Sequence, residues 1–145
     1  MSYAIDVDIM LYASNTSAKE HLIAADFLKQ CADSNEICCL AWLTISSYFR
    51  MATHPKLFKN PLTPDQALRN IESFTELPHV RCIGEREGFM KTYRQITADV
   101  PTRGNLVPDA QLAAVLHQNG VRQLWTHDRD FLKFTFLDVR DPIQQ

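Results

Sequence analysis

Short apolar segments alternate with longer amphipathic segments along this chain, and this alternation limits the folds that it can adopt. Four apolar runs have the length of buried strands, at 3–7, 37–40, 80–83 and 124–127, and a weaker fifth run spans 137–140. Helical patterns fill the intervals, at 19–32, 42–52, 65–74, 85–98 and 109–119. Short apolar strands that alternate with helices predict an α/β fold whose parallel sheet is covered on both faces.

Length and composition predict one soluble domain. With 145 residues, the chain can build one substantial core, and we expect a single domain over 1–145. No run approaches the roughly 20 apolar residues that span a bilayer, and the amino terminus lacks the basic start and small-residue cleavage site of a signal peptide. We therefore expect a cytoplasmic protein that makes no membrane contact.

Three acidic residues occupy positions where a core-building sequence would place apolar side chains. Asp6 interrupts the first apolar run near its carboxyl end, and Asp128 directly follows the fourth run. Asp109 lies in the first turn of a helix, on the same apolar face as Leu112 and Leu116. Ligands of parallel sheets gather at the carboxyl ends of the strands. Because a buried carboxylate without a partner is costly, these acids indicate a shared divalent cation with oxygen ligands.

A magnesium or manganese ion at such a site would suit cleavage of a phosphodiester bond. The ion lowers the pKa of a bound water and neutralises charge on the phosphate. Asp8 and Asp130 each lie two residues beyond a candidate ligand, and either is an auxiliary ligand or a surface charge. Simpler roles exist for single acids, since Asp109 could complement the helix dipole and Asp128 could begin a turn. The three acids together favour the metal site.

Several segments of the chain resemble PIN domains, and in particular the branch that contains VapC-type toxins. The segment nearest the amino terminus has an acid at the end of strand one, followed by the apolar start of a helix. The segments follow one another in the order that the family has, and the resemblance covers essentially the whole chain. The segments are AIDVDIMLYA at 4–13, FRMATHP at 49–55, RGNLVPDAQLAA at 103–114, THDRDF at 126–131 and DP at 141–142.

The resemblance implies a three-layer α/β/α sandwich with a central, mainly parallel sheet. It also implies Mg²⁺- or Mn²⁺-dependent cleavage of RNA by a toxin that forms a homodimer and is neutralised by a cognate antitoxin, which threads a segment into the active site. By position, Asp6, Asp109 and Asp128 correspond to the catalytic metal ligands. Asp130 corresponds to a less regular fifth acid that also serves as a ligand.

The chain departs from the PIN pattern at two positions. Many PIN domains carry an acid in the helix after strand two, where alignment on Arg50 places Ser47. A hydroxyl can hold a metal-bound water but brings no charge, which would weaken metal binding, reduce two metals to one or lower the activity. Asp8 stands where the family often has asparagine or serine, so it could restore part of the lost charge as an auxiliary residue.

Three arginines are candidates for contacts with RNA. Because the net charge is −2, any basic surface for RNA must be local. Arg50, Arg103 and Arg129 flank the motifs and could contact phosphates, although each could equally be a solvated surface charge. For Arg50, within an apolar helix, a structural salt bridge is also expected. His127 is expected to point away from Asp128, since neighbours on a strand face opposite sides.

Two other functions compete with the nuclease. In a haloacid-dehalogenase-like phosphatase, Asp6 would be the nucleophile and Asp8 a general acid, but Met10 departs from the Thr or Val of that signature. The other alternative is a catalytically weak PIN module that serves as a protein-interaction dimer, for which the missing acid at Ser47 is the best support.

Overall fold

The computed structural model describes residues 1–144, in which five strands alternate with six α-helices and one 3-10 helix. The strands are β1 Ser2–Ile5, β2 Ile37–Ala41, β3 Val80–Ile83, β4 Gln123–Trp125 and β5 Asp138–Arg140. The α-helices are α1 Val7–Ser14, α2 His21–Asp33, α3 Trp42–Ala52, α4 Pro64–Thr75, α5 Phe89–Ile96 and α6 Leu106–Gln118, and the 3-10 helix is Arg129–Lys133.

All strand pairs in the sheet are parallel, and the strand order is β3-β2-β1-β4-β5. The chain builds outward from β1 through β2 and β3, and then returns to the other side of β1 with β4 and β5. The strand order therefore reverses between β1 and β4. In sheets of this kind, ligands bind outside the carboxyl ends of the strands at such a reversal.

Side chains of the central strand divide the interior into two cores. Tyr3 and Ile5 face one side of the sheet and Ala4 faces the other, as strand alternation requires. The core around Tyr3 and Ile5 contains buried residues of α1, α2, α3 and α4, and the core around Ala4 contains those of α6 and the 3-10 helix. The predicted three-layer α/β/α sandwich with a parallel sheet is confirmed. None of the helices within residues 1–144 has the length and apolar character needed to cross a membrane.

Several helices and strands have the bounds that the sequence predicted, and short-range sequence features explain where helices start and end. The bounds of α3 and β3 match 42–52 and 80–83. At the start of α4, the Thr63 hydroxyl accepts from the Gln66 backbone N–H, and the Gln66 side chain accepts from the Thr63 N–H. This capping box satisfies two N–H groups that the helix itself leaves free. Gly120, with φ of 70°, follows the end of α6 in the left-handed conformation that glycine favours.

Other elements differ from the predicted bounds. Strand β1 ends at Ile5, not at Val7, because the Asp6 carboxylate accepts from the Val7 N–H and caps α1. Strand β4 ends at Trp125, so His127 lies outside the sheet. Helix α6 begins at Leu106, three residues before the predicted start. Pro108 is accommodated there because the first helical turn does not need its N–H.

Candidate metal centre

Carboxylates from distant parts of the chain meet where the strand order reverses. Asp6 directly follows β1, Asp128 lies three residues beyond β4, and Asp109 lies in the first turn of α6. Asp109, Asp128 and Asp130 each offer an oxygen, and these three oxygens lie within 4.8 Å of one another. Asp6 is outside this close group but near enough for its charge to act on Asp109. The structure therefore brings three of the four predicted ligands into one group and places Asp6 near it.

The buried hydroxyl of Thr126 connects Asp6 to Asp128. Asp6 is 8% exposed; its Oδ1 accepts from the Val7 N–H at 2.7 Å and its Oδ2 accepts from Thr126 Oγ1 at 2.8 Å. The same Oγ1 accepts from the Asp128 N–H at 3.0 Å. The sequence did not indicate this role for Thr126. A hydroxyl residue between an apolar strand and a candidate ligand is the signal that could have shown it.

Asp8 is tied to the loop after β4 by hydrogen bonds. Its Oδ2 accepts from the His127 N–H at 2.9 Å and from Thr126 Oγ1 at 3.3 Å, and its Oδ1 accepts from the Ile9 N–H at 2.8 Å. Both oxygens are thus engaged with groups of the protein. Asp8 lies beside the cluster but faces the loop that carries Asp128.

The site concentrates negative charge in a poorly solvated place. Burial raises the pKa of Asp6 and of Asp8, and the nearby charges of Asp8 and Asp128 raise the pKa of Asp6 further. Burial and then the charges of Asp128, Asp6 and Asp130 raise the pKa of Asp109 to about 7. Lys133 makes the only salt bridge to these five acids within residues 1–144, with Nζ 3.5 Å from the exposed Asp130. Oxygen donors with unbalanced negative charge fit a hard divalent cation.

The other predicted site residues lie at different distances from the acids. Arg129 is exposed, directly follows Asp128 and lines a small pocket with it. Arg103 is exposed in the turn that leads into α6. Ser47 is half-buried on α3, and no hydrogen bond joins it to the five acids within residues 1–144. Arg50 is exposed in the last turn of α3, about 12 Å along that helix from its start at the sheet edge.

The expected salt bridge of Arg50 was wrong. Arg50 makes no salt bridge in the part of the chain that the structure describes, because its side chain reaches solvent instead of lying within the apolar face of α3. The imidazole of His127 contacts Asp141 and Tyr12, but strand alternation does not set its direction, since β4 has ended two residues earlier. Its ring nitrogen Nδ1 lies 2.7 Å from Oδ2 of Asp141, and its main-chain N–H points to Asp8.

Similarity to known proteins assigns the chain to a family. No protein-family model matches it. Ribonuclease VapC48 of Mycobacterium tuberculosis is 41% identical over 142 residues, which cover 98% of each chain. The chain belongs to the VapC ribonuclease family. A more distant VapC ribonuclease, Mb2897 of Mycobacterium bovis, is 27% identical over 96% of this chain and 94% of its own.

Solved VapC structures have the same fold. VapBC2 of Rickettsia felis, bound to a promoter DNA fragment, matches with a TM-score of 0.69 and 15% identity over 97% of this chain and 98% of its own. VapC20 of Mycobacterium tuberculosis, described as a toxin that cleaves the sarcin–ricin loop, also matches with a TM-score of 0.69, at 14% identity over 95% and 98%. Membership of the VapC family confirms the resemblance stated from the motifs and removes the basis for the phosphatase alternative.

Proposed function

We propose that this chain is a toxin that cleaves RNA, and that Asp6, Asp109 and Asp128 hold a catalytic Mg²⁺ or Mn²⁺ ion. The observation that carries the proposal is that oxygens of Asp109, Asp128 and Asp130 lie within 4.8 Å of one another, near Asp6, at the strand reversal. Within residues 1–144, Lys133 is the only cationic side chain in a salt bridge to these acids. An acidic cluster of this kind is costly in the folded chain unless a cation binds it. The VapC family supplies the class of reaction, and the site supplies the residues that would carry it.

Each residue of the site would have a separate role in phosphodiester hydrolysis. A bound divalent ion supplies an activated water and neutralises phosphate charge. Asp109 and Asp128 would hold the ion with Asp6, and the exposed Asp130 would be a fourth ligand. Thr126 keeps the Asp6 carboxylate oriented by donating to its Oδ2. Arg129, which lines a pocket with Asp128, would contact a phosphate of the RNA.

Ser47 is expected to lower the affinity of the site for the ion. In place of an acid it contributes a neutral hydroxyl on α3, so the cluster has one negative charge fewer than the usual PIN set. We propose that Asp8 offsets part of this loss through its charge, while its two oxygens stay engaged with backbone N–H groups. The expected consequence is weaker ion binding. Weak ion binding is also what the alternative, a catalytically weak PIN module that serves as a protein-interaction dimer, would show.

Membership of the VapC family suggests two protein partners, an antitoxin and a second copy of the chain. The related proteins of Rickettsia felis, Haemophilus influenzae and Salmonella typhimurium were solved as VapBC assemblies. We propose that a cognate antitoxin neutralises this chain by placing a segment over the acidic cluster, where a cationic side chain would balance the unpaired carboxylates. We also propose that the chain forms a homodimer.

The test is incubation of the purified protein with a pool of structured RNAs in Mg²⁺ or Mn²⁺, and in EDTA. We expect cleavage with either ion, no cleavage in EDTA, and recovery when excess Mn²⁺ is returned. Asp65→Asn is the matched control, because it removes an exposed acid of a surface ion pair far from the cluster in sequence. Cleavage that continues in EDTA would contradict the metal mechanism. Ion binding without cleavage of any RNA would favour the interaction module.

Growth of cells that express the protein without an antitoxin provides an independent readout. We expect expression to slow growth and Asp109→Ala to relieve the effect, since the variant loses a ligand of the ion. The comparison is made at equal protein level, measured by immunoblot, with Asp65→Asn as the variant that should remain toxic. Equal toxicity of Asp109→Ala would exclude Asp109 from the mechanism.

A further inference from the structure

The loop that carries Asp128 receives little support from the sheet. Strand β4 ends at Trp125, and beyond it a single backbone bond, from the Thr126 N–H to the Arg140 carbonyl at 2.8 Å, joins the loop 126–128 to β5. A metal ligand must be held within a fraction of an ångström of its productive position. Side-chain contacts must therefore fix much of the position of Asp128.

Besides Thr126, whose hydroxyl accepts from the Asp128 N–H, His127 connects this loop to other elements. Its Nδ1 lies 2.7 Å from Oδ2 of Asp141, and its ring packs against the ring of Tyr12 in a T-shaped arrangement with the ring centroids 6.0 Å apart. Asp141 is itself held, because its Oδ1 accepts from the N–H groups of Ile143 and Gln144 at 2.8 Å and 3.3 Å. The carboxylate therefore provides a fixed anchor for the imidazole ring.

Helix α1 also holds His127. Oδ2 of Asp8 accepts from the His127 N–H at 2.9 Å, and Tyr12, one turn later on α1, contacts the imidazole ring. The remaining oxygen of Asp8 accepts from the Ile9 N–H. The main chain of His127 is thus bound by α1, and its ring is contacted by both α1 and the turn after β5.

We infer that Asp8, His127 and Asp141 form a positioning chain that holds Asp128 against Asp109 and thereby sets the affinity of the site for a divalent ion. In this assignment Asp8 and His127 act through the loop and do not touch the ion. The inference rests on the proposed metal site. It assigns a role to His127 and Asp141, which lie in the family-like segments 126–131 and 141–142 but do not belong to the acidic cluster. Residues that orient metal ligands typically change metal affinity by about 10–100-fold when they are replaced.

Two replacements of His127 separate positioning from direct contact with RNA. The amide nitrogen of asparagine lies one bond from Cγ, as Nδ1 does in histidine, whereas the glutamine amide reaches the place of Nε2. His127→Asn can therefore keep the hydrogen bond to Asp141, and His127→Gln cannot. Asp141→Ala removes the same bond from the other partner.

The measurement is the dissociation constant for Mn²⁺ alone, obtained from the electron paramagnetic resonance of free Mn²⁺ with no RNA present. We expect Mn²⁺ affinity at least tenfold weaker in His127→Gln and Asp141→Ala, and within about threefold of the unmodified protein in His127→Asn. The control is Asp138→Asn, which removes an exposed ion pair with Arg140 near the same turn and should leave the constant unchanged. Thermal melts establish that each variant is folded.

Each other outcome overturns the inference in a distinguishable way. Unchanged Mn²⁺ affinity in folded His127→Gln and Asp141→Ala would make the pair a simple anchor of the turn after β5. If His127→Gln kept RNA cleavage and His127→Asn lost it, the ring would act through Nε2 on the RNA. Absence of Mn²⁺ binding by the unmodified protein would overturn the proposed metal site as well.

Discussion

Asp6→Asn is expected to reduce RNA cleavage by about a thousandfold while the chain remains folded. Loss of a charged ligand weakens the stabilisation that the ion gives to the transition state, which amounts to several kcal/mol, and about 4 kcal/mol corresponds to a factor of about 1000 in rate. The fold should survive because asparagine also caps helices, so its side-chain oxygen can still accept from the Val7 N–H.

The measurement is kcat/KM on one RNA that the unmodified protein cuts, accompanied by circular dichroism and a thermal melt. Asp65→Asn makes the same chemical change at an exposed residue paired with Arg69, and it should keep the full rate. A rate for Asp6→Asn within threefold of the unmodified protein would remove Asp6 from the reaction. A collapsed circular dichroism signal would show instead that capping of α1 requires the charge.

In the absence of a divalent ion, the folded protein is expected to lose stability as the pH rises from about 4 to about 7. Burial and neighbouring acids raise the pKa of Asp109 to about 7, above its ordinary value near 4 in the unfolded chain. The folded state therefore binds more protons than the unfolded state in this window, and stability falls as those protons leave. Burial also raises the pKa of Asp6, which adds to the same trend.

Asp109→Asn should flatten this pH dependence and raise the melting temperature of the metal-free protein at pH 7.5. Discounted for solvent screening, the gain is about 1 kcal/mol, or roughly 2–4 °C for a chain of this size. The readout is a set of thermal melts in EDTA between pH 4.5 and 8, repeated with excess Mg²⁺. The ion should stabilise only the unmodified protein at high pH. A metal-free stability that rose towards pH 7 would contradict the unbalanced charge of the cluster.

Much of the fold was predictable because its signals are local. The capping box at Thr63 and Gln66 and the proline at the start of α4 fix a helix start from four consecutive residues. The short apolar run 80–83 predicts a strand because Pro78 and Gly84 lie on either side of it. The site acids could be identified for a similar reason, since Asp6 and Asp128 are polar where the neighbouring pattern is apolar.

The parts that could not be predicted depend on contacts between distant segments. Thr126 gains its role from a bond to Asp6, 120 residues away in the sequence. His127 was predicted to lie in the fourth strand, but β4 ends two residues earlier than the apolar run. Periodicity shows where apolar residues end, but it does not show where the hydrogen bonds between strands end. The partner of His127 is Asp141, which lies beyond β5 and becomes a neighbour only when β4 and β5 pair.

The most direct test of a shared ion is anomalous X-ray diffraction from crystals of the protein soaked in Mn²⁺. We expect a peak between Asp109 and Asp128, close to Asp6, with carboxylate oxygens at about 2.1 Å and within about 0.2 Å of that distance. The opposite result would be a fully ordered cluster without a peak, in which a lysine or arginine side chain neutralises these carboxylates.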